Sequence, residues 1–141
     1  MRTFVPIISL GLVAGVAIAA SQQEEGRFLD AVRAAYSARN IDAITALHCW
    51  DGITAKQRAD EAGALADQLQ RENNVQSAQY TAPQASHSLT NNGIVYAPNL
   101  TPVKWIKIQF EPGPSSLRSL ELEVGEKAGK LMLITYIPRK L

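Results

Sequence analysis

The chain has 141 residues, 46% of them hydrophobic, with 14 Lys and Arg against 13 Asp and Glu. Arg2 is the only charge before residue 21, so the rest of the chain is neutral, at 13 against 13. A balanced chain without a basic cluster has no electrostatic footprint for nucleic acid and no polybasic patch for an anionic membrane.

The first 20 residues read as a targeting segment. Met1-Arg2 puts one positive charge ahead of an apolar run from Phe4 to Ala20, which ends in Ala17-Ile18-Ala19-Ala20-Ser21. A charged start, an apolar centre and small residues at positions −3 and −1 make a secretory signal peptide, with cleavage expected after Ala19 or Ala20. The run, rich in Ala and Gly, sits at the short edge of a membrane span of about 20 residues, so a retained anchor is the alternative to cleavage. The sequence therefore predicts a signal peptide over 1–20, one domain over 21–141, a periplasmic or secreted location and no stable membrane span after cleavage. About 120 residues are enough for one core. Cys49 is the only cysteine, which excludes an intrachain disulfide.

The first mature helix is expected over Gln22 to Arg39, with Phe28, Val32, Ala35 and Tyr36 on one face and Asn40 leaving it in a left-handed conformation. A short second helix follows at about Asp42 to Cys49, with Ile41, Ile44, Leu47 and His48 inward. Asp51-Gly52 turns the chain. Thr54-Ala55-Lys56-Gln57 is a capping box that opens a third helix. Its Ala59, Ala62, Leu65, Ala66 and Leu69 form a narrow apolar stripe, and Glu72-Asn73-Asn74 ends it.

From Val75 the period changes to two. Strands are expected over Val75 to Ala82, Ile94 to Ala97, Val103 to Phe110, Leu117 to Val124 and Leu131 to Ile137, the last as a central strand. Asn91-Asn92-Gly93 signals a type I′ hairpin, and a turn is expected over Gly125 to Gly129. Ile106, Ile108 and Phe110 share one face of their strand, and Trp105 falls on the other. Glu121 and Glu123 fall opposite the apolar face of theirs, toward solvent. The fold class is α+β: N-terminal helices on one face of a curved antiparallel sheet.

Phe28 through Tyr36-Ser-Ala-Arg-Asn-Ile-Asp-Ala-Ile-Thr-Ala-Leu-His48 resembles the first two helices of the nuclear transport factor 2 superfamily, a cystatin-like α+β roll. The segment Val95-Tyr96-Ala97-Pro98-Asn99-Leu100 and the hairpins after it resemble small uncharacterised exported bacterial proteins. The superfamily usually places a strand between its second and third helices, where His48 to Thr54 leaves almost no room. The resemblance implies a cone between helices and sheet. Its ketosteroid-isomerase members imply a carboxylate base with a buried acid, for which Tyr36 is the donor candidate.

The densest reactive cluster is His48-Cys49-Trp50-Asp51. Neighbours on a helix do not face each other, so His48 and Cys49 are poorly placed as a nucleophilic dyad. His48 and Asp51 have the spacing to pair, and Cys49 and Trp50 are expected to plug the core between the second and third helices. His48 and His87 are too far apart in sequence, and without a ligand motif, to suggest a metal. No catalytic residue and no cofactor is assigned. Asn99-Leu100-Thr101 has the form of a glycosylation sequon, weakened by Pro102 and the bacterial type of signal. The leading expectation is a non-catalytic binding or interaction domain of the bacterial envelope, homodimeric through a sheet face bearing Trp105. The alternative is a small enzyme or carrier of an apolar ligand, with Tyr36, His48 and Trp50 lining the cone.

Overall fold

A computed structural model describes residues 8–84, 89–113 and 118–139, with side chains from Ser21 onward. Three helices precede seven strands: α1 (Ile8–Ser37), α2 (Ile41–Ala46), α3 (Ala55–Arg71), β1 (Val75–Thr81), β2 (Leu89–Asn91), β3 (Ile94–Pro98), β4 (Pro102–Phe110), β5 (Ser119–Lys127), β6 (Lys130–Leu133) and β7 (Tyr136–Pro138). The strands curl as two antiparallel pieces, ordered β1-β4-β5-β6 and β2-β3-β7. His87 and Leu117 lie outside the described residues.

The larger sheet shows why alternation makes a core. In register, Tyr80, Ile106 and Leu122 form one cross-strand row, and Ala78, Ile108 and Leu120 the next. These residues point to α1, whose Phe28, Val32, Ala35 and Tyr36 are all buried against them. The four helical positions recur at i, i+4, i+7 and i+8, so a straight helix lays them along one stripe. Polar pins fix the helix on the sheet: Arg33 Nη2 donates to Ala78 O at 2.9 Å, and the Tyr80 hydroxyl donates to Glu25 O at 2.6 Å. Glu24 accepts from Arg27 and from the Leu131 amide, and these hydrogen bonds hold its carboxyl down at about 2.

α1 is one helix through the expected cleavage point and ends at Ser37, two residues before the expected stop. Its end is a Schellman motif: the Asn40 amide donates to Ala35 O, the Arg39 amide to Tyr36 O, and Arg39, not Asn40, takes the left-handed conformation at φ 53°. Asn40 caps α2 instead, its side chain accepting from the Ala43 amide at 3.1 Å. One Asn cannot adopt both backbone conformations, and the cap takes it.

α2 stops at Ala46, three residues early, because the next backbone groups pair elsewhere. Leu133 N donates to Leu47 O and Cys49 N donates to Leu133 O, both at 2.8 Å. This parallel bridge, His48 to Leu133, pairs the free edge of β6. It also corrects the last strand. Leu131 to Ile137 is not one central strand: β6 is an edge of the first sheet, and after Ile134 and Thr135 the chain joins the second sheet as β7. Both its faces are covered because it passes from one sheet to the other.

Two turns follow the expected chemistry, one in a tighter form. Asn92 (φ 51°) and Gly93 (φ 78°) make the β2–β3 turn with two positive φ angles, as type I′ requires. Between β5 and β6 the turn is only Ala128-Gly129, and β5 runs on through Gly125. Gly125 is needed for a close approach: a Cβ there would lie 2.6 Å from the Leu100 Cβ. Leu100 therefore packs on the sheet face turned away from α1, and that face is not open at this end.

Candidate functional site

The connection between α2 and α3 is the framework of the site. Asn99, between Pro98 and β4, clasps it. Its side-chain amide donates to Cys49 O at 2.8 Å and Asp51 O at 3.1 Å, while its Oδ1 accepts from Thr135 N at 3.1 Å. The Asn99 backbone amide also donates to Thr135 O at 2.9 Å. One residue thus ties the helical half to the crossing between the sheets. With its amide hydrogens engaged in this way, Asn99 is a structural clasp and not a free acceptor for glycan.

Above this clasp lies a pocket of about 520 Å³. Tyr36 of α1 and Thr45 of α2 reach it from one side, with His48 and Trp50 of the connection. Glu61, Ala64, Leu65 and Gln68 of α3 form a second wall. Leu89, Asn91 and Tyr96 of the β2–β3 hairpin and Ile134, Thr135 and Tyr136 of the sheet crossing complete it. The three residues named from sequence as ligand-lining, Tyr36, His48 and Trp50, thus meet in one pocket. Trp50 is not a core plug: its indole donates to Thr45 O at 2.8 Å, and Arg58 lies 4.9 Å over its ring. Cys49 is buried as expected.

His48 and Asp51 do not pair. His48 Nδ1 lies 2.9 Å from Ile44 O, and since a carbonyl only accepts, the ring proton is on Nδ1. Burial pushes the imidazole below its ordinary pKa, so the ring is neutral at pH 7, with Nε2 an acceptor. Asp51 instead forms an ion pair with Lys127, which lowers the Asp51 carboxyl. Cys49 and His48 are consecutive in the bridge to β6 and alternate in direction, which separates thiol from imidazole.

Two hydroxyls at the pocket lack partners among the described residues. Tyr36 is only 2% exposed and makes no hydrogen bond there, and burial raises its phenol well above the ordinary value. Thr135 is 6% exposed, and its Oγ1 is buried and unpartnered. An unmet buried hydroxyl costs about 1–3 kcal/mol. Only the Thr135 oxygen is wholly buried in this way; the Tyr36 hydroxyl is the one a ligand's polar group can meet.

The stripe expected on α3 is only partly a packing surface. Leu69 is buried, Ala62, Leu65 and Ala66 are half-buried, and Ala59 is exposed. The helix overhangs the pocket, so its inner face meets a cavity rather than side chains along part of its length. Leu89, 52% exposed, stands at the pocket rim on the facing hairpin.

Two sequence readings of the outer sheet face need correction. Trp105 is 5% exposed, so its ring is covered by its own chain and offers no surface to a second copy. Glu123, its cross-strand neighbour, is half-buried rather than turned to solvent. The crossing accounts for both: Ile134 N donates to Glu123 O at 2.9 Å, and the Tyr136 hydroxyl donates to the Glu123 carboxylate. Period-two alternation assigns Glu123 to the correct face, but cannot show that the second sheet returns over it. The other Glu123 oxygen, the Trp105 indole N–H and the Thr81 hydroxyl are buried without partners among the described residues.

A second cavity, of about 350 Å³, lies beside Ser21, Glu24 and Glu25. Of its charges, Glu24 pairs with Arg27 and Glu25 with Lys104, while Glu126 lines it without an ion pair among the described residues. Among the described residues there is no group of three His, Cys, Asp or Glu able to hold a metal, and no helix long and apolar enough to cross a membrane. Comparison with protein-family models, curated proteins and solved structures gave no match to the chain. Function is therefore to be read from the site itself.

Proposed function

We propose that this protein is an exported, non-catalytic binding domain that holds a small, partly apolar molecule in the pocket between α2, α3 and the second sheet. One observation carries the reading: a 520 Å³ pocket brings Tyr36, His48 and Trp50 together beside Thr135, whose hydroxyl is buried without a partner among the described residues. Volumes of about 300–1,000 Å³, mostly apolar walls and a few placed polar groups are the usual features of small-molecule sites. The export address rests on the first 20 residues, and the assignment to the nuclear transport factor 2 superfamily rests on helices preceding a curled antiparallel sheet. An enzyme of the ketosteroid-isomerase type would set an inward carboxylate base beside the Tyr36 donor. The carboxylate among the lining residues, Glu61, is exposed on α3 rather than turned inward, which favours binding over catalysis.

Native mass spectrometry of the protein purified from an exporting host tests this reading. The expected result is a chain beginning at Ala20 or Ser21 that carries a small-molecule adduct, released on denaturation. A bare chain that also stays bare after incubation with a host metabolite extract would overturn it.

A further inference from the structure

Among the residues that line the pocket, the formal charge is one-sided. Glu61 lines it without an ion pair among the described residues, and no Lys or Arg is among its lining residues. His48 adds no positive charge, because its imidazole is neutral at pH 7. A second carboxylate, Glu123, lies behind Tyr136. It has no cationic partner among the described residues, and one of its oxygens is buried and unpartnered.

The walls add a second, independent preference. Tyr96 and Tyr136, both half-buried, bring aromatic rings to the walls, and rings attract cations through the negative potential of their faces. Donating a hydrogen bond to Glu123 makes the Tyr136 ring more electron-rich. The Trp50 ring already holds a cation, the Arg58 guanidinium 4.9 Å from its centroid. The engagement of Arg58 with Trp50 leaves the Tyr96 and Tyr136 rings and Glu61 for a ligand.

We infer that the ligand is a cation, an alkylammonium or quaternary ammonium compound with an apolar body, held by tyrosine rings and Glu61. The inference rests on the pocket being a binding site and adds the charge of what it binds. In the bound state the ammonium head lies among the rings, and a polar group on the body meets the Tyr36 hydroxyl.

Calorimetric titration with matched probes separates charge from shape. Choline and 3,3-dimethyl-1-butanol have the same outline and differ in the positive charge; benzyltrimethylammonium and phenylacetate supply larger cationic and anionic probes. The full mature protein is used, with Glu61→Gln as the variant and Lys56→Gln, on the exposed face of α3, as a folded control. The expected result is that the cations bind about tenfold or more tightly than the neutral isostere, that phenylacetate does not bind, and that Glu61→Gln weakens the cations alone by about three- to tenfold. Equal binding of choline and its neutral isostere, or preference for phenylacetate, would overturn the cation while leaving the pocket as a site. Absence of cation binding in a protein that retains an adduct in native mass spectrometry would also overturn the cation and not the pocket. Circular dichroism of both variants shows whether a loss comes from misfolding.

Discussion

The two faces of the β1-β4-β5-β6 sheet are built from alternate residues of the same strands, yet they do different things. Toward α1, Ile106, Ile108 and Val124 are wholly buried among apolar side chains. On the other face, Trp105, Glu123 and Thr81 are covered by returning chain but keep unpartnered polar atoms, and the crossing that covers them opens onto the pocket. The first face is closed by one long element with a regular stripe. The second is closed by short pieces, β2, β3, β7 and the α2–α3 connection, whose shapes do not fill the space. Stability is concentrated on the regular side and binding capacity on the irregular one.

That contrast can be broken in order of expected effect. Ile106→Ala removes atoms from the filled face and is expected to cost about 2–5 kcal/mol in urea unfolding, without specific damage to the pocket. Asn99→Ala attacks the irregular side. It leaves Thr135 N without its side-chain acceptor and Cys49 O without its donor, at about 2 kcal/mol, and loosens the pocket wall, so stability and ligand retention fall together. Thr54→Ala breaks the capping box, in which Thr54 Oγ1 accepts from Gln57 N at 3.1 Å and Gln57 Oε1 accepts from Thr54 N at 2.9 Å. About 1 kcal/mol is expected from that loss, as a drop in the urea midpoint.

The smallest effect is a pH dependence. Burial lowers the His48 pKa in the folded chain below its unfolded value of about 6.5, so the unfolded state takes up the proton first. Stability from the neutral imidazole is therefore complete above about pH 6.5 and declines as pH falls through the folded value. Unfolding curves at pH 8 and pH 5 should differ by more in the native chain than in His48→Gln. An equal difference in the two would place the pH dependence elsewhere.

Much of the regular side was legible in the sequence. Phe28, Val32, Ala35 and Tyr36 are spaced by the helical period, and Ile106, Ile108 and Phe110 by the strand period, so local spacing alone indicates what faces inward. The Thr54 box and the Asn92-Gly93 turn are equally local, since their hydrogen bonds and φ angles involve neighbours. The site was legible only where it borrowed those signals. Tyr36, His48 and Trp50 come from the helical half, but Tyr96, Thr135 and Tyr136 enter through a sheet crossing that a continuous apolar run, Leu131 to Ile137, conceals. The interruption by Thr135 and Tyr136 was the available sign. Asn99 could not be recognised, because its partners, Cys49, Asp51 and Thr135, are 36 to 50 residues away. Trp105 and Glu123 were assigned to the correct face, but the long-range return of the chain buries that face.

The two tryptophans allow one direct measurement, since Trp50 lies at the pocket and Trp105 is sealed between the faces. We would record the indole N–H and isoleucine methyl resonances of the labelled mature protein while adding a fragment library with neutral, cationic and anionic members. The expected result is that binding fragments move the Trp50 indole signal and leave the Ile106 and Ile108 methyls unchanged. Fragments that shift Ile106 and Ile108 while Trp50 stays fixed, or a library with no member that moves Trp50, would contradict the division of this molecule into a filled side and a binding side.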